Sequence, residues 1–194
     1  MIRYLALGDS YTIGTGASDP TRGWPSIVAA RLGQKTGDTV ELTNPAVNGF
    51  TTDDLIQHEL HHVNDLKPEL VTVLIGVNDL VRGRPLAEYD SMLSTIYDAL
   101  DGRRVFAISI PSWHFVPAAA DFGGADHVER LTRLFNQIAR EEAVAHRFTW
   151  VDIGPASRSG IGSPGWIASD HLHPGDAQYS AWADVIWEAV GEAF

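Results

Sequence analysis

Four short clusters in this chain carry side chains suited to chemistry: Gly8-Asp9-Ser10-Tyr11, Asn48-Gly49, Gly76-Val77-Asn78-Asp79 and Asp170-His171-Leu172-His173. They offer a hydroxyl, an unhindered glycine N–H, a side-chain amide and a carboxylate–imidazole pair. Acyl transfer needs that set. A serine hydroxyl becomes a competent nucleophile when a neighbouring base takes its proton. An imidazole does this near neutral pH, and a carboxylate orients the imidazole and stabilises its cation. Amide donors then hold the developing oxyanion.

These clusters need elements to bring them together. Apolar runs of strand length cover Ile2–Leu7, Val40–Leu42, Leu70–Ile75, Val105–Ile110 and Phe148–Ile153. Helical patterns alternate with them over Trp24–Leu32, Thr51–Leu66, Pro85–Leu100, Ala125–His146 and Pro174–Val190. Pro25 suits a first helical turn, Thr51 suits an N-cap, and Asp53 and Asp54 suit the positive end of a helix dipole. Strand–helix alternation means α/β with a parallel sheet and helices on both faces. No linker or repeat interrupts residues 1–194, so one domain is expected. The first and third clusters follow the first and third strands, the second follows the second strand, and the fourth precedes the closing helix. Under parallel topology all four meet at one sheet edge, where open α/β sheets bind ligands. The two long loops, Pro111–Gly124 and Gly154–Asp170, leave strands at that edge.

In these clusters the sequence resembles the GDSL or SGNH hydrolases, a superfamily of esterases, lipases and acyltransferases. Gly8-Asp9-Ser10 corresponds to its first block, Gly49 to the second, Gly76-Val77-Asn78-Asp79 to the third and Asp170/His173 to the last. Tyr11 departs from the leucine of the older motif name. The resemblance implies a flavodoxin-like three-layer α/β/α sandwich with five parallel strands in order 2-1-3-4-5. It implies Ser10 as nucleophile, Asp170 and His173 completing the triad, and Ser10 N–H, Gly49 N–H and Asn78 as oxyanion donors. His171 competes as base; the Asp-to-His spacing of three favours His173. Asp9 reads as structural, bonding local N–H groups. No metal or cofactor is implied, and the expected partner is a small-molecule ester. Oligomeric state is left open.

Other chemistry is weighed against this. His58-Glu59-Leu60-His61-His62 matches H-E-x-x-H, a zinc-peptidase pattern, but it is also what histidines near a helix C-terminus would give. Residues 160–165 match G-x-G-x-x-G, yet they do not directly follow a strand and contain Pro164. Ser10–Thr15 resembles a flavodoxin phosphate loop, which makes an FMN binder the alternative of another class. No Gly-x-Ser-x-Gly elbow exists. Trp113, Phe115, Trp166 and Ile167, with Trp24, Phe50 and Val116, either wall an apolar substrate pocket or pad the core. Arg82 and Arg84 either meet an anionic leaving group or sit in a solvated loop. Short or medium acyl and aryl esters are expected; sugar acetyl esters, lysophospholipids and thioesters are the alternatives within the family.

Composition narrows the field. The chain has 194 residues, 44% hydrophobic and 20% charged, long enough for a substantial core. It has no cysteine, which excludes disulfides, thiol nucleophiles and Cys-ligated metals. A formal charge of −11 without a basic stretch argues against nucleic acid and anionic membranes. No apolar run approaches a membrane span. The short apolar start runs straight into Gly8-Asp9-Ser10, so no signal peptide is read and a cytoplasmic protein is expected.

Overall fold

The computed structural model describes residues 1–194. Five parallel strands form one sheet: β1 (Ile2–Gly8), β2 (Val40–Thr43), β3 (Leu70–Leu74), β4 (Val105–Ile108) and β5 (Thr149–Val151), in order β2-β1-β3-β4-β5. The register pairs Leu5 with Thr43 and Val71, and Gly8 with Leu74. Every residue of β3 and β4 is buried, as their continuous apolar runs require once helices cover both faces.

Nine helices surround the sheet: α1 (Ser10–Ile13), α2 (Trp24–Thr36), α3 (Thr52–His58), α4 (His61–Leu66), α5 (Val77–Val81), α6 (Leu86–Asp98), α7 (Ala125–Ala145), α8 (Gly154–Arg158) and α9 (Asp176–Glu192). Helices α2 and α9 pack together, as do α6 and α7. No helix is long and apolar enough to cross a membrane.

Local chemistry explains the helix ends. Pro25 sits in the first turn of α2, and Gly37 closes it in the left-handed conformation with its N–H on Gly33 O. Thr51 and Asp54 form a reciprocal capping box at α3, with Asp53 beside it.

Two differences from the periodicity are informative. The helix expected over residues 51–66 breaks at Glu59 and Leu60 into α3 and α4. Strand β2 pairs with β1 only as far as Leu5, and the Gly8 N–H beyond it finds its acceptor in Glu59 Oε2 at 2.9 Å. A buried strand N–H without an acceptor is costly, so the helix yields to seat that carboxyl. Secondly, short helices α1, α5 and α8 start just beyond β1, β3 and β5. They are single turns, too short to register as an apolar period.

Candidate active site

Strand β1 delivers Ser10 through a tight turn. Gly8 has φ +155°, and a Cβ there would lie 2.2 Å from Leu74 O and 2.3 Å from Thr12 Oγ1, so only glycine fits. Asp9 then caps α1, its carboxylate accepting Tyr11 N–H at 3.0 Å. Trp24 Nε1 donates to Tyr11 O at 2.9 Å from below. Ser10 therefore opens α1 on an anchored backbone, with 6% of its surface exposed.

The turn stands on two buried acids. Burial raises the Asp9 carboxyl to about 7, with the Tyr11 N–H opposing and the Asp79 charge adding to the rise. Burial likewise raises Glu59 to about 8, the Gly8 N–H opposing and Asp9 adding. Glu59 belongs to the histidine-rich motif, but its side chain is fully buried under β1. His58 and His62 fall on different helices, and the His62 ring stacks on His61 with centroids 4.0 Å apart.

The third cluster forms the turn into α5. Asn78 Nδ2 donates to Phe50 O at 2.8 Å and lies 3.5 Å from Asp9 Oδ2. Asp79 is wholly buried and accepts from Thr52 N–H at 3.0 Å, Thr52 Oγ1 at 2.7 Å and Arg84 Nε at 2.5 Å. Arg84 also pairs with Asp53. Arg84 is thus a clamp joining α3 to α5 rather than a solvated loop residue. Arg82 donates to Gly49 O at 2.8 Å, and Thr15 Oγ1 to Asn48 Oδ1 at 2.5 Å. Three successive residues, Asn48, Gly49 and Phe50, are therefore pinned from three directions.

The fourth cluster sits on a small hairpin. Ile167 and Pro174 form an antiparallel bridge, flanked by Ala168 N–H to His173 O at 2.8 Å and Gly175 N–H to Trp166 O at 3.0 Å. His173 Nδ1 lies 2.6 Å from Asp170 Oδ2, and Asp170 Oδ1 accepts the N–H groups of His173 at 2.9 Å and Leu172 at 3.0 Å. Partial burial pushes the Asp170 carboxyl up, but these hydrogen bonds and the His173 charge outweigh it and hold it below the usual range. His171 sits at the apex with φ +62°, its backbone bonded to Ala168 and Ala118. His173 is the histidine that Asp170 holds.

Gly16 lets this hairpin dock on the serine loop. With φ +93°, it would place a Cβ 2.6 Å from Pro174 O and 3.0 Å from His173 Cβ. Tyr179 Oη donates to Thr15 O at 2.7 Å beside it. Gly16 and Glu59 are positioning residues without a local sequence signature, since their partners are distant in the chain.

Ser10, Asn78 and His173 line one cleft of about 60 Å³, with Tyr11, Val77, Val81, Trp113, Phe122 and Leu172 as its other walls. Trp113 and Phe122 meet edge to face at 5.6 Å. Of the candidate pocket residues, Trp113 lies in this lining. Trp166 is buried against Gly160 with its Nε1 on Ser157 O at 3.0 Å, and Ile167 serves the hairpin bridge. Phe115 meets His114 edge to face. Trp24 and Val116 are core residues, and Phe50 stacks on His58. Gly49, with φ +83°, lies outside the lining in the pinned loop. Val77 and Leu172, inside the third and fourth clusters, and Val81, one turn beyond, also wall the cleft, and their only sequence signal is their place beside the polar residues of those clusters.

Of the hydroxyls that suggest a phosphate loop, Thr12 Oγ1 is buried against Leu74 O at 3.4 Å, and Thr15 Oγ1 is engaged by Asn48.

Known proteins agree with this architecture. Residues 6–181 match the GDSL-like Lipase/Acylhydrolase family. The chain is 23% identical over 192 residues to "Esterase TesA" of Pseudomonas aeruginosa, covering 96% of this chain and 86% of that protein. It is 24% identical over 177 residues to an arylesterase of Vibrio mimicus, covering 89% and 80% respectively. A solved acetylxylan esterase from Geobacillus stearothermophilus superposes with a TM-score of 0.78 at 20% identity, covering 98% of this chain and 94% of that one. The chain belongs to the GDSL-like Lipase/Acylhydrolase family and is a carboxylic ester hydrolase.

Proposed function

We propose that the chain, acting as one domain over residues 1–194, cleaves short-acyl carboxylic esters through an acyl-enzyme. One observation carries this reading: Ser10, Asn78 and His173 line a single cleft, and His173 is held through Nδ1 by Asp170. Asp170 fixes the Nδ1–H tautomer and leaves Nε2 as the base toward Ser10 Oγ. Ser10 Oγ attacks the ester carbonyl as His173 takes its proton. The tetrahedral oxyanion is held by Ser10 N–H, Gly49 N–H and Asn78 Nδ2, with one Asn78 hydrogen retained by Phe50 O. His173 returns the proton to the departing alcohol oxygen, and water then deacylates Ser10 by the same steps.

The narrow apolar walls suit an acyl group of few carbons, and the names of the relatives, esterase and arylesterase, suit simple ester substrates. An acetylated sugar would place the same acetyl group in the same cleft and belongs in the substrate panel. The test is fluorophosphonate labelling and hydrolysis of p-nitrophenyl esters from acetate to decanoate, wild type beside Ser10→Ala. Labelling and turnover lost in the variant, with acetate or butyrate preferred, supports the reading. Labelling that survives Ser10→Ala moves the nucleophile elsewhere.

A further inference from the structure

A second and larger cavity lies at the same sheet edge, beyond β4 and β5. It encloses about 390 Å³ between α7, the start of α8 and the loop after β4. That volume is in the range of small-molecule sites. Most of its lining residues are polar or charged, whereas most of those lining the catalytic cleft are apolar.

Three arginines face it. Arg133 and Arg140 stand two turns apart on α7, and Arg158 reaches from α8 with Nη1 on Ser112 Oγ at 2.5 Å. None of the three lies within 4.0 Å of a carboxylate, although the chain carries 25 acidic residues. Two acids share the lining. Asp152 spends Oδ1 on Ser109 Oγ at 3.2 Å and Gly154 N–H at 2.8 Å, while Glu129 is exposed one turn before Arg133. Three fixed cations against two acids leave a positive surplus in a chain of net charge −11. Unlike Arg158, Arg133 and Arg140 make no side-chain hydrogen bond, so both guanidinium groups keep their donors for a ligand. Trp150 adds the one large apolar surface.

We propose that this cavity binds a small organic anion, a carboxylate or phosphate held by the Arg133, Arg140 and Arg158 guanidinium groups with its apolar body against Trp150. Guanidinium forks match both anions in bidentate geometry. The site is separate from ester cleavage yet adjoins it: Ser112 and His114 line the cavity, while Trp113 between them lines the catalytic cleft.

The experiment is an amide and indole NMR titration with phenyl phosphate, benzoate and the neutral benzyl alcohol, at constant ionic strength. Expected are saturable shifts at Ser112, Gly154 and the Trp150 indole with the anions and not with the alcohol. Tighter phenyl phosphate names a phosphate ligand; tighter benzoate names a carboxylate. Arg133→Gln/Arg140→Gln, both exposed positions where glutamine keeps the helix, is expected to weaken the anions by about tenfold or more while leaving p-nitrophenyl acetate hydrolysis and the thermal midpoint unchanged. Equal binding of the alcohol, undiminished binding by the variant, or no saturation at about 10 mM overturns the proposal.

Discussion

Glu59 Oε2 accepts the main-chain N–H of Gly8 at 2.9 Å, two residues before Ser10, and its other oxygen has no partner. Burial lifts this carboxyl from 4.5 to about 8, so the folded chain keeps a proton that the unfolded chain releases. The resulting stability is complete below the unfolded value and is lost as pH rises through the folded one. Asp9, raised to about 7, acts in the same direction. Urea unfolding between about pH 5 and pH 8 is therefore expected to show stability falling with pH, by on the order of a few kcal/mol. Glu59→Gln keeps the acceptor and flattens that slope. Glu59→Ala leaves the Gly8 N–H unpaired and costs about 1–3 kcal/mol.

Asp170→Asn probes the carboxylate–imidazole pair. Both Asp170 oxygens are engaged, one by the His173 ring and one by two N–H groups. An amide nitrogen facing Nδ1 favours the wrong tautomer. Turnover is expected to fall by roughly 10³–10⁴-fold, with fluorophosphonate labelling slowed in parallel. A rate within a factor of a few of wild type removes Asp170 from the proposed triad.

Asn78→Ala tests the proposed oxyanion role. Turnover on p-nitrophenyl acetate should drop by about 10²–10³-fold with KM nearly unchanged, because the bond strengthens only as charge develops. A rise in KM at constant turnover would instead assign Asn78 to ground-state binding.

Arg84→Gln removes the clamp between α3 and α5. Asp79 is fully buried and would lose its charged partner, keeping only Thr52. Chemical denaturation is expected to show a loss on the order of 3 kcal/mol. Double substitution with Asp79→Asn should recover part of it, since the uncompensated charge is then gone.

Phe122→Ala opens the wall beside Trp113. The expected result is a shift of the p-nitrophenyl ester optimum toward longer acyl chains, at reduced activity on acetate. An unchanged chain-length profile places the acyl group elsewhere.

Much of the architecture follows from short-range signals. Strand–helix alternation gives the parallel sheet, Pro25 and the Thr51–Asp54 box start their helices, and the four clusters lie where chain order puts strand ends. These depend on residues within a turn or two of each other, so periodicity and capping chemistry suffice. Other features depend on contacts between distant segments. The break at Glu59 answers a donor 51 residues away, and Gly16 accommodates a hairpin built around Pro174. Trp113 and Trp166 looked alike as loop aromatics, yet one walls the cleft and the other pads α8. Arg133, Arg140 and Arg158 look like ordinary surface charges in the sequence, and they share a cavity because α7 and the start of α8 border the same space beyond β5. A residue's type and spacing determine what chemistry it can offer; which neighbours share that chemistry is decided by packing, because burial and hydrogen-bond satisfaction are settled over the whole fold.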